Sequence, residues 1–394
     1  MLAAFSLQAM AAGLLAGFVG FASSFAVVLQ GLRAVGATPA EAASGLMALA
    51  IAMGAGGIWL SGRSKMPISV AWSTPGAALL AGSALPAGGF ASAVGAFLLS
   101  GAMIVIAGLW RPLGRAVAAI PPALANAMLA GVLLPLCLAP VRAVADFPRL
   151  ALPMIFGWAV MARINRIWAI PVAVAIAAVL TGATAQAPPG GFGSLAPTPV
   201  LVVPVFDLAA LIGLALPLFL VTMASQNIPG LAVLAANEYR PAPGPLFYRT
   251  GVLSLLAAPF GGHAVNLAAI TAALCANPDA HPDPARRYWA AMVGGATYIL
   301  FGLGAGAVVA LVSVAPPVLI QAVAGLALLG SLGGAMMGAV AVAEERDAAV
   351  VTFVVAASGV TLLGIGGAFW GLLSGLVLRA LALRTLARSH QTMR

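Results

Sequence analysis

Polar positions in this chain do not alternate with apolar ones; they interrupt long apolar stretches. Breaks at Gly, Pro and the few charges leave apolar segments at 7–31, 39–60, 68–82, 88–109, 118–140, 148–162, 167–183, 205–235, 245–258, 261–276, 287–313, 316–341, 347–361 and 364–388. A helix needs ~20 apolar residues to cross the hydrocarbon core, so the pattern predicts fourteen helical segments, of which 68–82 and 261–276 are too short for a full span. The longest polar-leaning gap, "TGATAQAPPGGFGSLAPTP" (Thr181 to Pro199), divides the chain near its middle.

Composition fixes the solvent. Of the 394 residues 62% are hydrophobic and 7% charged, against ~25% charged in a soluble domain. A globule in water cannot hide that much apolar surface, so the lipid bilayer is the partner. The first apolar run lacks a basic leader and continues to Leu29, which reads as a first span rather than a cleaved signal. The net charge of +9 would suggest nucleic acid in a soluble protein. With an inside N-terminus and fourteen crossings, Arg63, Lys65, Arg111, Arg115, Arg163, Arg166, Arg240, Arg249, Arg286, Arg287, Arg346, Arg379, Arg384, Arg388 and Arg394 fall on the inner side. Only Arg33, Arg142 and Arg149 fall outside. That asymmetry obeys the positive-inside rule. It excludes nucleic acid as the reason for the charge and places both termini in the cytoplasm of a bacterial inner-membrane protein. Treating one pair of segments as a re-entrant loop leaves the outer assignments intact and a count of twelve open. Cys137 and Cys275 stand alone in apolar runs without metal-type spacing, so no metal or other cofactor is expected.

The two halves echo each other. "PPALANA" (Pro121 to Ala127) is similar to "PPVLIQA" (Pro316 to Ala322), about 195 residues on. "ASSF" (Ala22 to Phe25) matches "ASQN" (Ala224 to Asn227), about 202 on. The short segment after Thr74-Pro75-Gly76 matches the one after Gly261-Gly262, about 187 on. Three offsets in one order indicate duplication. Seven spans per half require the second repeat to enter the membrane upside down, the architecture of many secondary transporters. The expected fold is therefore an all-α polytopic membrane protein of two inverted seven-segment repeats. The first covers 1–183, a periplasmic linker 184–204, and the second 205–394.

The short segments carry the candidate chemistry. In "ISVAWSTPGAALLAG" (Ile68 to Gly82) the run Ile68–Trp72 alternates and reads as extended, Ser73 or Thr74 can cap, and Pro75 suits a first helical turn. In "PFGGHAVNLAAITAAL" (Pro259 to Leu274) a half-helix is expected to begin after Gly261-Gly262, with His263 at its start. Two half-helix N-termini facing the midplane would make an anion site. The nine acids, Glu41, Asp146, Asp207, Glu238, Asp279, Asp283, Glu344, Glu345 and Asp347, all map to loops or segment ends, so no midplane carboxylate waits for a cation. The polar groups left at depth suit a carboxylate or a neutral polar group: Ser23, Ser24, Ser73, Thr74, Ser225, Gln226, Asn227, His263 and Asn266, with Gly76 and Gly262 at the expected helix starts. "TMASQNIPG" (Thr222 to Gly230) is read as cavity lining rather than interhelical glue. Phe18, Phe21, Phe25, Trp72 and Phe260 lie near enough in sequence to wall an apolar cavity. A histidine inside the membrane is a functional candidate by default. An anion beside it would favour the charged ring, so proton and anion would bind together. No acid pair, His-Glu metal spacing or nucleophile–base pair points to an enzyme.

At "FVGFASSFAVVLQG", "TMASQNIPGLAVL" and "PFGGHAVNLAAITAAL" the chain resembles the benzoate/proton symporter (BenE) family, and the resemblance covers nearly its whole length. More distantly it is similar to uracil/xanthine permeases and sulfate transporters. The resemblance implies a core domain of segments 1–4 and 8–11 (about 1–110 and 205–313). This would move against a gate of segments 5–7 and 12–14 (about 111–183 and 314–394). It places substrate between segments 3 and 10 with contributions from 1 and 8, so Phe25 joins the binding candidates. Uracil-type permeases use glutamates in segments 8 and 10; here Gln226, Asn227 and His263 occupy those regions, which fits an anion rather than a pyrimidine. The expectation is a proton-coupled importer of benzoate or a similar small organic anion, with His263 taking the proton and a homodimer left open. A carrier of another organic anion or a nucleobase, and a passive anion channel, are the alternatives.

Overall fold

A backbone in hydrocarbon must close its own hydrogen bonds, and helices do so within one segment. In the computed structural model, residues 6–110, 112, 121–184, 197–314, 316–362 and 365–392 are described. The first run forms α1 (Leu7–Ala22) and α2 (Phe25–Ala34), broken at Ser23–Ser24. Then come α3 (Pro39–Ser64), β1 (Val70–Trp72), α4 (Thr74–Ala81) and α5 (Gly89–Leu109). α6 (Pro122–Cys137), α7 (Ala139–Asp146), α8 (Pro148–Ile164), a 3-10 turn at Arg166–Trp168 and α9 (Ala169–Thr184) complete the first half. The second half holds α10 (Leu208–Ala236), α11 (Pro243–Ala257), β2 (Val265–Leu267), α12 (Ile270–Ala276), α13 (Tyr288–Leu303) and α14 (Ala305–Val314). It ends with α15 (Pro317–Ala339), α16 (Arg346–Ala357), a short hairpin, Thr361–Leu362 with Ile365–Gly366, and α17 (Gly367–Thr392). Among the described residues, six helical stretches are long and apolar enough to cross a membrane.

The helix ends follow local chemistry. Thr38 and Glu41 form a capping box ahead of α3, with Pro39 in its first turn. The Asp207 carboxylate accepts from the Ala210 amide at 3.0 Å and caps α10. Two of the acids thus serve helix ends.

The helices pack in two neighbourhoods. α13 lies along α3 and α1, α11 along α5, and α4 against α2; elsewhere α6 packs on α15 and α16, α16 on α17, and α8 on α9. Contact between the neighbourhoods runs through α2–α15, α4–α6 and α1–α9. The α3–α13 crossing is close because it meets at glycine: a Cβ on Gly54 would clash with the Gly295 carbonyl oxygen. Small residues at such crossings are how helices adhere in lipid, where no hydrophobic force drives them together.

Residues 185–196 of the predicted linker lie outside the described residues. The remainder is not a free tether. The Val202 amide donates to the Pro259 carbonyl and the Val205 amide to the Ala91 carbonyl, at 2.8 and 3.0 Å. Ser44 Oγ accepts from the Val200 amide and donates to the Phe260 carbonyl, both at 2.9 Å.

Both short apolar runs are strand-plus-half-helix units, and their strands pair antiparallel: Val70 with Leu267, Ala71 with Asn266, Trp72 with Val265. Here one expectation is corrected. The second half-helix does not begin at Gly262–His263. Residues 262–264 are irregular, a strand follows, and α12 starts only at Ile270. The reason is pairing. A three-residue strand at β1 exposes backbone groups that only an extended partner can satisfy at that depth.

Candidate substrate site

The crossing of β1 and β2 organises the site. On the first side the sequence reads through directly. Ser73 is the N-cap of α4, its Oγ accepting from the Gly76 amide at 3.1 Å, and Pro75 sits in the first turn. Ser73 Oγ also accepts from the Thr222 hydroxyl at 2.9 Å, which ties α10 to the start of α4. Because Pro75 has no amide and Gly76 is capped, Thr74 supplies the remaining amide and a half-buried hydroxyl at this helix end. The supply of free donors is therefore narrower than a bare half-helix would offer.

On the second side His263 is fully buried. Its Nε2 lies 2.9 Å from the Ser73 carbonyl oxygen. A carbonyl only accepts, so Nε2 carries the proton and Nδ1 keeps its lone pair. Nδ1 is buried and has no hydrogen-bond partner among the described residues. The Phe97 ring stands edge-on to the imidazole with centroids 6.3 Å apart.

Asn266 is fully buried, and its Nδ2 donates to the Leu267 carbonyl at 2.8 Å. Its Oδ1 has no partner among the described residues. Its cross-strand mate, Ala71, is the one residue of either strand that is not fully buried. Cross-strand mates share a face, so Asn266 projects on the face of the crossing that is least covered.

The α10 residues divide in role. The polar stretch Met223–Asn227 winds as a π-helical turn, and a second such turn lies at Leu211–Ala215. Such turns concentrate at functional sites. Asn227 is fully buried, and its Oδ1 accepts from the Leu267 amide at 2.9 Å, so it pins β2 to α10. Ser225 and Gln226 are half-buried, and their side chains make no hydrogen bond among the described residues. From the α1–α2 break, Ser24 Oγ accepts from Trp72 Nε1 at 2.8 Å, and Ser23 and Ser24 hydroxyls both donate to the Gly20 carbonyl. Phe25 stacks on Phe21 at 5.9 Å, and Phe21 meets Trp72 at 5.3 Å. Phe260 is half-buried in the turn before Gly261, whose φ of +91° needs glycine. Gly76 and Gly262 are close-approach positions. A Cβ would meet Leu218 Cδ1 at 2.5 Å from the first, and Ala257 Cβ at 2.8 Å from the second.

The structure thus gathers Ser24, Ser73, His263 and Asn266 around the crossing, with Asn227 as a brace. Thr222, Ala71 and Phe97 were not singled out by the sequence. Only the polarity of Thr222 inside an apolar run signalled it. A separate cavity of about 240 Å³ lies between Ser83–Ala87 and Asp207–Leu214 and shares no residue with the crossing.

A strand–half-helix crossing at the centre of a long apolar bundle is a transporter's architecture. Residues 3–381 match the family described as "Benzoate membrane transport protein" (BenE). The chain belongs to the benzoate membrane transport family. Proteins similar to it include the "Inner membrane protein YdcO" of Escherichia coli (strain K12), 41% identical over 92% of this chain and 93% of the relative. The "Benzoate membrane transport protein" of Acinetobacter baylyi is 31% identical over 94% of each. The fold is shared with the transmembrane domain of a cyanobacterial bicarbonate transporter, BicA, at TM-score 0.60 and 15% identity, over 96% of this chain and 98% of that one. This benzoate-transport-family chain is accordingly a mostly helical integral membrane transporter and not an enzyme.

Proposed function

We propose that the chain imports an aromatic carboxylate, benzoate in the first instance, together with protons by alternating access. The observation that carries this reading is the pair of buried polar atoms at the crossing without hydrogen-bond partners among the described residues: His263 Nδ1, a basic lone pair, and Asn266 Oδ1. Leaving a buried polar atom unsatisfied costs about 1–3 kcal/mol; both atoms are acceptors, so a proton on Nδ1 removes the cost there and presents an N–H to a carboxylate, which itself donates nothing to Oδ1. The carboxylate lies near the start of α4, where the helix dipole, the Thr74 amide and the second Asn266 Nδ2–H favour negative charge. His263 Nδ1 takes the proton.

Two inverted seven-segment repeats, divided at the linker 184–204, support the mechanism. The β1–β2 pairing puts Ala71 opposite Asn266, and the repeats already echo each other at a separation of about 195 residues. Equivalent residues of two repeats related by a two-fold axis meet each other only on that axis, so the pairing supports such a relation. The core (about 1–110 and 205–313) carries the crossing. The gate (about 111–183 and 314–394) provides the surface it moves against, with the inner-membrane orientation that the arginine asymmetry favours.

The test is uptake of radiolabelled benzoate into proteoliposomes with and without an imposed pH gradient. Accumulation above equilibrium only with an inward proton gradient is expected. Equilibration without accumulation would make the protein a passive channel, and uptake competed by other organic anions or nucleobases but not by benzoate would change the substrate.

A further inference from the structure

The 3-10 turn Arg166–Trp168 joins α8 to α9 on the side that the charge asymmetry makes cytoplasmic. An arginine and a tryptophan at a membrane edge are ordinarily an anchor facing lipid headgroups. Here the Trp168 ring turns toward the bundle while the Arg166 side chain stays exposed. The Trp168 ring meets Phe18 of α1 at 5.7 Å. Phe18 continues to Phe301 at 6.1 Å, Phe301 to Phe21 at 5.0 Å, and Phe21 to Trp72 beside the crossing at 5.3 Å. The rings form an unbroken ladder from the candidate site to a tryptophan that is still 38% exposed. A 3-10 turn has 3.0 residues per turn, so side chains two apart diverge by about 120°. Trp168 reaches α1 while the Arg166 guanidinium reaches α15, with Nη2 3.4 Å from where a Cβ on Gly330 would sit. Arg166 is exposed and has no hydrogen bond or ion pair among the described residues. An unpaired guanidinium and an open aromatic face at one corner match the two ends of an aromatic carboxylate.

We propose that Arg166, Trp168 and Phe18 form a second, cytoplasm-facing binding place, where the carboxylate pairs with Arg166 and the ring stacks on Trp168 and Phe18 as substrate leaves along the ladder. This rests on the aromatic-carboxylate reading above. The test uses the full chain in right-side-out and everted membrane vesicles, measuring the KM for radiolabelled benzoate from each face. Trp168→Ala and Arg166→Gln are expected to raise the cytoplasmic-face KM about five- to tenfold. Trp168→Phe, which keeps a ring, stays near wild type, and the outer-face KM is unchanged in all three. Unchanged cytoplasmic KM, equal shifts on both faces, or lower protein level and Vmax at constant KM would each overturn the second place and leave an anchor. Wild-type protein that moves no benzoate from either face would overturn this inference and the aromatic-carboxylate reading together. If Trp168→Ala fails to insert, Arg166→Gln alters only an exposed side chain and carries the test.

Discussion

At the scale of single residues, the proposed coupling turns on His263 and the proposed binding on Asn266. His263 donates from Nε2 and leaves Nδ1 free, so a bound carboxylate and a proton at Nδ1 stabilise each other, and reciprocity makes acidification tighten binding. His263→Gln keeps a donor for the Ser73 carbonyl and cannot titrate. It is expected to bind benzoate with flat pH dependence and to lose accumulation driven by a pH gradient, as read by calorimetry at several pH values beside uptake. A variant with wild-type pH dependence would move the proton elsewhere. Asn266→Ala removes the amide whose second Nδ2–H is proposed to donate to the carboxylate, and is expected to weaken benzoate binding about tenfold or more, again by calorimetry. Both residues were legible in the sequence, because polar side chains are conspicuous in an apolar run. What they face was not: Ser73 is 190 residues from His263, and no local signal reports that contact.

At the scale of elements, the two half-helix units differ in how far local chemistry determines them. α4 is written in its own sequence by Ser73, Pro75 and the alternation before them, and it formed as read. β2 is not, because Val265–Asn266–Leu267, three residues inside a longer apolar run, are too few to carry a period that tells strand from helix. Its conformation is set by β1 and by Asn227, neither of which is near it in sequence. Asn227→Ala would strand the buried Leu267 amide and is expected to destabilise the detergent-solubilised protein by about 1–3 kcal/mol, seen as a lower midpoint of thermal unfolding. An unchanged midpoint would remove the brace from the account. Thr74→Glu tests α4 in the opposite sense. A carboxylate in the first turn stabilises the helix by about 0.3–1 kcal/mol but occupies the position assigned to substrate charge. Equal or higher thermal stability with loss of benzoate binding is expected; retained affinity would take the substrate away from this helix end.

At the scale of the whole molecule, the apolar pattern made the bundle legible, and the charge pattern proposes an orientation for it. Cys137 and Cys275 are buried, so introduced thiols report topology cleanly. Ala84→Cys, exposed in the α4–α5 loop, is expected to react with an impermeant thiol reagent applied outside intact cells, whereas Ala343→Cys, exposed before α16, reacts only after permeabilisation. The reverse labelling would invert the orientation. The pairing of β1 with β2 also bears on how the chain is made. Segment 68–82 is too short to span and carries a strand whose partner is still unsynthesised when it leaves the ribosome. At about 5–20 residues per second, the residues that separate Ala71 from Asn266 take roughly ten to forty seconds to appear. Through that interval the strand's backbone groups must be held by water, by the insertion machinery or by a chaperoning neighbour. Biogenesis of this protein therefore has a built-in waiting step: the crossing closes only once β2 has been made, with α12 to α17 still to follow.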